Sequence, residues 1–113
     1  MKCYICDTDL SDETNELCSD CKDAIQKKKS KYIYDNTSTD KKISDECKRL
    51  NGQLHKGNKQ QNELTIAQSY YALYLIAKDQ NYSKLIPRLE KHVKDVKEEY
   101  YRRKRKKIKP IIN

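Results

Sequence analysis

Four cysteines near the start of the chain have the spacing of a metal site. Cys3 and Cys6 form one CxxC pair, eleven residues follow, and Cys18 and Cys21 form a second pair. Two residues between cysteines let both sulfurs reach the same ion, and soft thiolates in a tetrahedron suit zinc. The pattern therefore predicts one structural Zn²⁺ held by four thiolates, with ligation of an iron–sulfur cluster as the less favoured alternative.

Catalysis is not expected. Four protein ligands fill a tetrahedral zinc site and leave no position for a reactive water. The sequence has no phosphate-binding glycine loop, no paired-carboxylate motif and no nucleophile–base pair, and its two histidines lack the pattern of HNH nucleases. We expect His55 to lie in a solvated loop and His92 to pack on the apolar face of a helix. The sequence therefore predicts that the protein is not an enzyme.

The residues around the two cysteine pairs resemble a known class of module. The segments MKCYIC (1–6) and LCSDCKDAI (17–25) are similar to the four-cysteine treble-clef and zinc-ribbon modules of small bacterial and phage proteins, over residues 1–28. The resemblance implies that the first pair lies on a zinc knuckle and that the second caps a helix. Asp7 stands where such knuckles usually have glycine, which leaves the subtype open. Because these modules bind DNA, RNA and proteins, the resemblance implies a structural zinc without fixing a function.

The supply of apolar residues is small for a chain of this length. Leu, Ile and Val number 21 of 113 residues, and Phe and Trp are absent. A small domain with so little apolar mass usually needs a disulfide, a metal or a partner to stay folded. No secretory signal or membrane-spanning stretch is recognisable, and clustered cysteines in a reducing compartment favour a metal. We therefore expect a cytoplasmic protein, in the host cytoplasm if a phage encodes it, that does not contact membranes.

Charge divides the chain into two parts. Residues 1–23, here called the head, carry seven acidic and two basic side chains, a net charge of −5. Residues 24–113, here called the body, carry 23 basic and 10 acidic side chains, a net charge of +13. A basic surface of this strength favours phosphate-bearing partners, whereas an acidic head is repelled by them.

The apolar periodicity and the capping residues predict a mainly α fold with four helices. Tyr32 to Thr39 is expected to be a connector and Asn51 to Asn62 a loop, with Gly52 ending the second helix. Ser38 or Thr39 is the expected N-cap of the second helix, and Ser83 that of the fourth. The predicted helices cover about residues 19–31, 39–50, 63–78 and 83–107.

The third predicted helix is apolar on most of its circumference, so we expect it to be buried on several sides. Cys47 shares an apolar stripe with Ile43 and Leu50 and is predicted to be a small core residue. Together these features predict a four-cysteine zinc module of treble-clef or zinc-knuckle type over residues 1–31. A three-helix basic domain with a polybasic C-terminal tail follows over residues 32–113.

Two clusters of basic residues are the predicted nucleic-acid contacts. The first ends the first helix, and the second lies in the last seventeen residues, which carry eight basic and two acidic side chains. Basic runs neutralise phosphates, and neighbouring tyrosines can stack on bases or hydrogen-bond to phosphate. The predicted contacts are Lys27, Lys28, Lys29, Lys31, Tyr100, Tyr101, Arg102, Arg103, Lys104, Arg105, Lys106, Lys107 and Lys109.

These features predict a small zinc-stabilised protein that binds DNA or RNA. We expect a regulatory or accessory factor, for example in transcription regulation by a phage or mobile element, whose basic C-terminal helix follows the phosphates. The alternative is an interaction adaptor whose acidic zinc head docks on a larger machine, such as a polymerase or nuclease, and modulates it. The third possibility is a component of a virion or ribonucleoprotein whose basic tail threads into nucleic acid. For the basic clusters themselves, contact with an acidic protein or a purely solvated face are the alternatives.

Overall fold

A computed structural model describes residues 2–6, 10, 16–55 and 61–108 of the 113. It confirms the predicted mainly α fold: within these ranges four helices and no sheet follow the cysteine-bearing segment. None of the described helices combines the length and apolar character that crossing a bilayer requires. The helices are α1 (Ser19–Tyr34), α2 (Asp40–His55), α3 (Gln61–Gln80) and α4 (Leu85–Ile108).

Asparagine, rather than glycine, ends two of the helices. Asn36 and Asn81 have φ angles of 61°, in the left-handed region that the residue after a helix often adopts. After α1 the Asn36 N–H donates to the Ile33 carbonyl and the Thr37 N–H to the Tyr32 carbonyl, the hydrogen-bond pair of a Schellman motif. The α3 terminus repeats this pair, from Asn81 to Lys78 and from Tyr82 to Ala77. The same left-handed asparagine motif therefore ends both α1 and α3.

Several helix boundaries differ from the predictions, and α3 extends two residues beyond its predicted range of 63–78 at each end. The α1 helix continues to Tyr34, so part of the predicted connector is helical; no helix-breaking residue precedes the Asn36 terminator. The α2 helix passes through Gly52 to His55, which corrects the predicted loop, because Gly52 faces open space and adopts no positive φ. Residues 56–60 and the side chain of His55 lie outside the described part of the chain.

The α4 helix begins at Leu85, two residues after the predicted N-cap Ser83. Pro87 falls in its first turn, as predicted, where its missing N–H costs no intrahelical hydrogen bond. The backbone stays helical through the basic run to Ile108. The long C-terminal helix expected from the sequence is therefore present.

The core is centred on α3, which packs against α1, α2 and α4. Its burial on several sides is confirmed: residues from different faces of the helix, including Ala67, Ala72 and Leu73, are almost fully buried. The α4 helix contributes its predicted apolar positions. The buried apolar residues of this helix pair are Ile66, Ala67, Tyr70, Ala72, Leu73, Ile76, Ala77, Leu85, Leu89, Val93 and Val96.

Cys47 is half-buried and packs against this core, in agreement with its predicted role, and burial raises the pKa of its thiol to about 11. Its carbonyl accepts a hydrogen bond from the Tyr70 hydroxyl at 3.2 Å. His92 stacks on the Tyr70 ring with centroids 4.8 Å apart, and burial lowers the pKa of the imidazole. The two isolated side chains that could have suggested chemistry are therefore packed parts of the helical core.

The head packs on this core. Cys3 and Ile5 from the head and Ile25 from α1 belong to the same buried cluster as the residues of α3 and α4. The α1 helix also runs without interruption across residue 31, the predicted end of the zinc module. The division into domains 1–31 and 32–113 stays a prediction.

Candidate metal centre

The four predicted ligands meet at one point of the structure. Their Sγ atoms all lie within 4.8 Å of one another, and those of Cys6 and Cys18 are 3.6 Å apart. This distance is far longer than the bond of about 2.05 Å in a disulfide, and none of the four cysteines forms a disulfide. Cys3 and Cys21 are buried, whereas Cys6 and Cys18 are half-buried. The cluster could therefore hold a metal ion.

Local backbone structure brings the two pairs together. Cys18 is the N-cap of α1, and its Sγ accepts a hydrogen bond of 3.4 Å from the Cys21 N–H. Cys21 lies in the first turn of α1, so the second pair caps a helix as the resemblance implied. The Tyr4 N–H donates to the Glu16 carbonyl at 2.7 Å and joins the segments that carry the pairs.

The four thiols lie in unequal surroundings. Burial raises the pKa of Cys18 and of Cys21. Burial acts in the same direction on Cys3, but hydrogen bonds with the backbone of Cys6, Cys18 and Ile5 outweigh it, and the pKa of Cys3 falls to about 7. Because a metal binds thiolates, loading this site displaces protons from the buried thiols.

Gln68 of α3 also contacts the cluster, and no pattern in the sequence indicated it. Its side-chain Nε2 donates to the Cys21 Sγ at 3.5 Å across 47 residues of chain. Amide groups that hydrogen-bond to ligands fix the orientation of the ligands and tune their basicity. Gln68 therefore links the cysteine cluster directly to the central helix of the body.

The four lysines of α1 that were predicted to contact nucleic acid lie in different surroundings. Lys27 and Lys31 are exposed, whereas Lys29 forms an ion pair with Asp79 of α3 at 2.9 Å. Lys28 is half-buried, and its pKa is lowered by burial and by the positive charges of Lys31 and Arg49. Three of these four lysines are therefore available to a partner, and Lys29 instead ties α1 to α3.

Arg49 of α2 was absent from the predicted contacts, although it lies beside the α1 lysines. Glu46 holds it: the Arg49 Nε donates to Glu46 Oε1 at 2.8 Å, and the Tyr32 hydroxyl donates to Oε2 at 2.8 Å. Only the packing of α1 against its neighbours places Arg49 near Lys28. Lys28, Lys31 and Arg49 are called the α1–α2 basic cluster below.

The start of the C-terminal basic run is attached to the head. The Tyr101 hydroxyl donates to the carbonyl of Ile5, between the first two cysteines, at 3.1 Å. The rings of Tyr100 and Tyr101 pack edge to face with centroids 5.1 Å apart, and Arg102 pairs with Glu99. The side chains of Arg103, Lys104, Arg105, Lys106 and Lys107, and the whole of Lys109, lie outside the described part of the structure.

No protein-family model, no curated protein and no solved structure matches the chain. The resemblance of residues 1–28 to zinc modules is therefore limited to a four-cysteine cluster that could bind a metal. What the protein does has to be argued from the chemistry of its own surfaces.

Proposed function

We propose that this chain is a small zinc-stabilised nucleic-acid-binding protein that acts as a regulatory or accessory factor. Zinc suits the donor set, because a tetrahedron with Zn–S bonds of about 2.3 Å has S–S edges of about 3.8 Å. The observed Cys6–Cys18 separation of 3.6 Å is close to that edge. Since four thiolates leave no open coordination position, the metal has a structural role and supplies fold stability rather than a reactive water.

The observation that carries the proposal is the course of α4. This helix continues through Arg102 to Lys107, six consecutive basic residues, and ends only at Ile108. Adjacent like charges repel each other and destabilise a free helix end. Phosphates bound along the run would neutralise the repulsion, and the Tyr101–Ile5 hydrogen bond fixes the run relative to the zinc cluster.

The α1–α2 basic cluster supports the same proposal. The Lys28 ammonium group lies near the positive charges of Lys31 and Arg49, and these charges lower its pKa. A bound phosphate would remove this unfavourable interaction and hydrogen-bond to Arg49. Contacts of this kind determine affinity and position along a strand, but they do not read sequence.

The test is a binding titration of the zinc-loaded protein against duplex DNA, single-stranded DNA and RNA at salt concentrations from about 50 to 200 mM. A protein making about six phosphate contacts should lose roughly 1,000-fold in affinity over this range. Replacement of the six residues Arg102 to Lys107 by glutamine should abolish most of the binding and flatten the salt dependence.

The matched control removes the same number of charges elsewhere. It replaces six exposed lysines by glutamine: Lys41, Lys42, Lys48, Lys84, Lys91 and Lys94. If the run from Arg102 to Lys107 contacts the phosphates, this control binds much more tightly than the variant of that run. Equal losses in the two variants would reduce the effect to net charge, and a flat salt response of the parent protein would contradict the proposal.

A second candidate function is an adaptor whose acidic head docks on a basic surface of a larger protein machine. The net charge of −5 on residues 1–23 favours it, because an acidic surface is repelled by nucleic acid. Weak binding to all three nucleic acids by folded, zinc-loaded protein would favour this function over the first.

A further inference from the structure

A cavity of about 400 Å³ opens between the head and the α3–α4 pair. This volume lies within the range of sites that bind small molecules or single side chains. Neither the zinc cluster nor the basic surfaces include it. Its polar and aromatic lining consists of Lys2, Tyr4 and Glu16 from the head, Tyr71 and Tyr74 from α3, and Glu90 from α4.

Three tyrosine rings line this cavity. The centroids of Tyr4 and Tyr71 are 5.7 Å apart, those of Tyr71 and Tyr74 are 5.5 Å apart, and both pairs are tilted by more than 50°. The face of an aromatic ring is electronegative and attracts cations within about 6 Å of its centroid. A site with several such rings therefore selects a cationic group that also has an apolar or planar surface.

Two lysines of the chain contact the outer rings of this cluster, those of Tyr4 and Tyr74. The Lys97 Nζ lies 4.0 Å from the Tyr4 centroid, and the Lys78 Nζ lies 5.4 Å from that of Tyr74. The tyrosine cluster thus makes cation–π contacts at both of its ends. Tyr71, the middle ring, has no such contact with the described lysines and arginines.

Two carboxylates complete the site. Burial raises the pKa of the Tyr4 phenol, and the negative charges of Glu90 and Glu16 raise it further, so both carboxylates lie near this ring. Lys2 is the single ammonium group among the described lining residues. The head, which contributes Lys2, Tyr4 and Glu16 to the lining, has a net charge of −5 in its sequence, and such a charge repels phosphates and attracts cations.

We propose that this cavity binds the guanidinium group of an arginine side chain presented by a protein partner. A guanidinium is planar and stacks on an aromatic face. Its five N–H donors lie in its own plane and can bond to carboxylates at its edge. Tyr71 and its neighbours provide the faces, and Glu16 and Glu90 provide the acceptors. This site is independent of the proposed nucleic-acid contacts, because those are basic side chains that bind phosphates, whereas this cavity binds a cation.

The test uses the zinc-loaded full-length chain and N-acetyl-arginine amide as the probe, followed by NMR of the tyrosine ring protons. Saturable shifts are expected for Tyr4, Tyr71 and Tyr74, with a dissociation constant on the order of 1–10 mM for a single side chain. N-acetylglycine amide should produce no shift. Absence of saturable shifts with the arginine probe would overturn the proposal.

A pair of variants on α4 tests the role of the carboxylate. Glu90→Gln should weaken the binding roughly tenfold, because it removes a charge-assisted acceptor from the cavity. Glu98→Gln makes the same charge change at an exposed position outside the cavity and should leave the binding constant unchanged. Equal weakening by both would mean attraction by net charge alone and would contradict a built site.

Two further probes test the source of the ligand. Spermidine offers ammonium groups without a planar face, and adenosine monophosphate offers an aromatic base with an anionic phosphate. Weaker binding of both than of the arginine amide supports an arginine from a protein. Tighter binding of spermidine would reassign the cavity to a free polyamine, and tighter binding of the nucleotide would reassign it to a base.

Discussion

The head and the α3–α4 pair differ in what is buried at their centres. In α3 and α4 the buried residues are almost all apolar, and they pack along two long helices. In the described part of the head the fully buried residues are Cys3, Ile5 and Cys21, and two of these are candidate metal ligands. The helix pair can therefore be stabilised by hydrophobic burial, whereas we expect the head to depend on the proposed metal.

Side-chain hydrogen bonds join the two regions, in addition to the buried cluster that they share. Gln68 reaches the Cys21 sulfur from α3, and Tyr101 reaches the Ile5 carbonyl from α4. Both join side chains of the helix pair to the segments that carry the cysteines. Loss of the metal should therefore affect the head first and break these two contacts, while the helix pair stays folded.

Removal of the metal should have the largest effect. We expect Cys21→Ser, or chelation of the parent protein, to reduce bound zinc from one equivalent to none, because structural zinc contributes about 10–16 kcal/mol of binding free energy in small modules. Hydrogen exchange should then show loss of amide protection in residues 2–6 and 16–21 while α3 and α4 stay protected. Cys47→Ser is the matched control, since Cys47 lies outside the cluster, and should retain full zinc content.

Simultaneous loss of protection throughout the chain would contradict this division of labour. It would mean that head and helix pair unfold as one cooperative unit, and that the apolar core alone is too small to fold.

Truncation of a core side chain in the helix pair should have the second-largest effect, a decrease in the free energy of unfolding. Leu89 is fully buried, so Leu89→Ala is expected to lower the free energy of unfolding by about 2–5 kcal/mol through lost burial and a cavity. Ile33→Ala, at a side chain that is 51% exposed, should change it by less than about 0.5 kcal/mol. Urea unfolding of zinc-loaded protein measures both, and similar values for the two variants would refute the assigned core.

Loss of the Gln68 amide should have a smaller effect, confined to the metal. We expect Gln68→Leu to weaken zinc binding roughly tenfold, because the Cys21 thiolate loses a hydrogen-bond donor. Competition with a chelator measures this change. Gln26→Leu, at an exposed glutamine of α1, is the control and should leave the zinc affinity unchanged.

The smallest effect concerns pH and Glu46, which joins α1 to α2 away from the metal. Burial raises the pKa of Glu46, but hydrogen bonds from Arg49 and Tyr32 outweigh it and lower the pKa below that of a free glutamate. The stabilisation is therefore present above the ordinary glutamate pKa and is lost as the pH falls through the lowered value. Because Arg49 is largely exposed, we expect at most about 1 kcal/mol.

Urea unfolding between pH 3 and pH 6 can detect this contribution. Glu46→Gln should remove its part of the pH dependence, while Asp45→Asn, at an exposed neighbouring carboxylate, should retain it. An unchanged profile for Glu46→Gln would show that the three-residue contact contributes no stability.

Periodicity and local chemistry made much of the fold predictable. The apolar repeats located all four helices, and the CxxC spacing identified the four cysteines that the structure brings together. Helix ends were less predictable, because they depend on a single backbone conformation. Asn36 takes a left-handed φ and ends α1, whereas Gly52, the residue expected to end α2, stays helical.

The sequence alone predicted features that depend on groups close together along the chain. These are helix periodicity, charge segregation and the pairing of cysteines that have two residues between them. Contacts between distant groups emerge only from the packing of the folded chain. Gln68 lies 47 residues from Cys21, Tyr101 lies 96 residues from Ile5, and Tyr4 shares a cavity with Glu90. No local pattern encodes these contacts, because each depends on how α3 and α4 pack against the head.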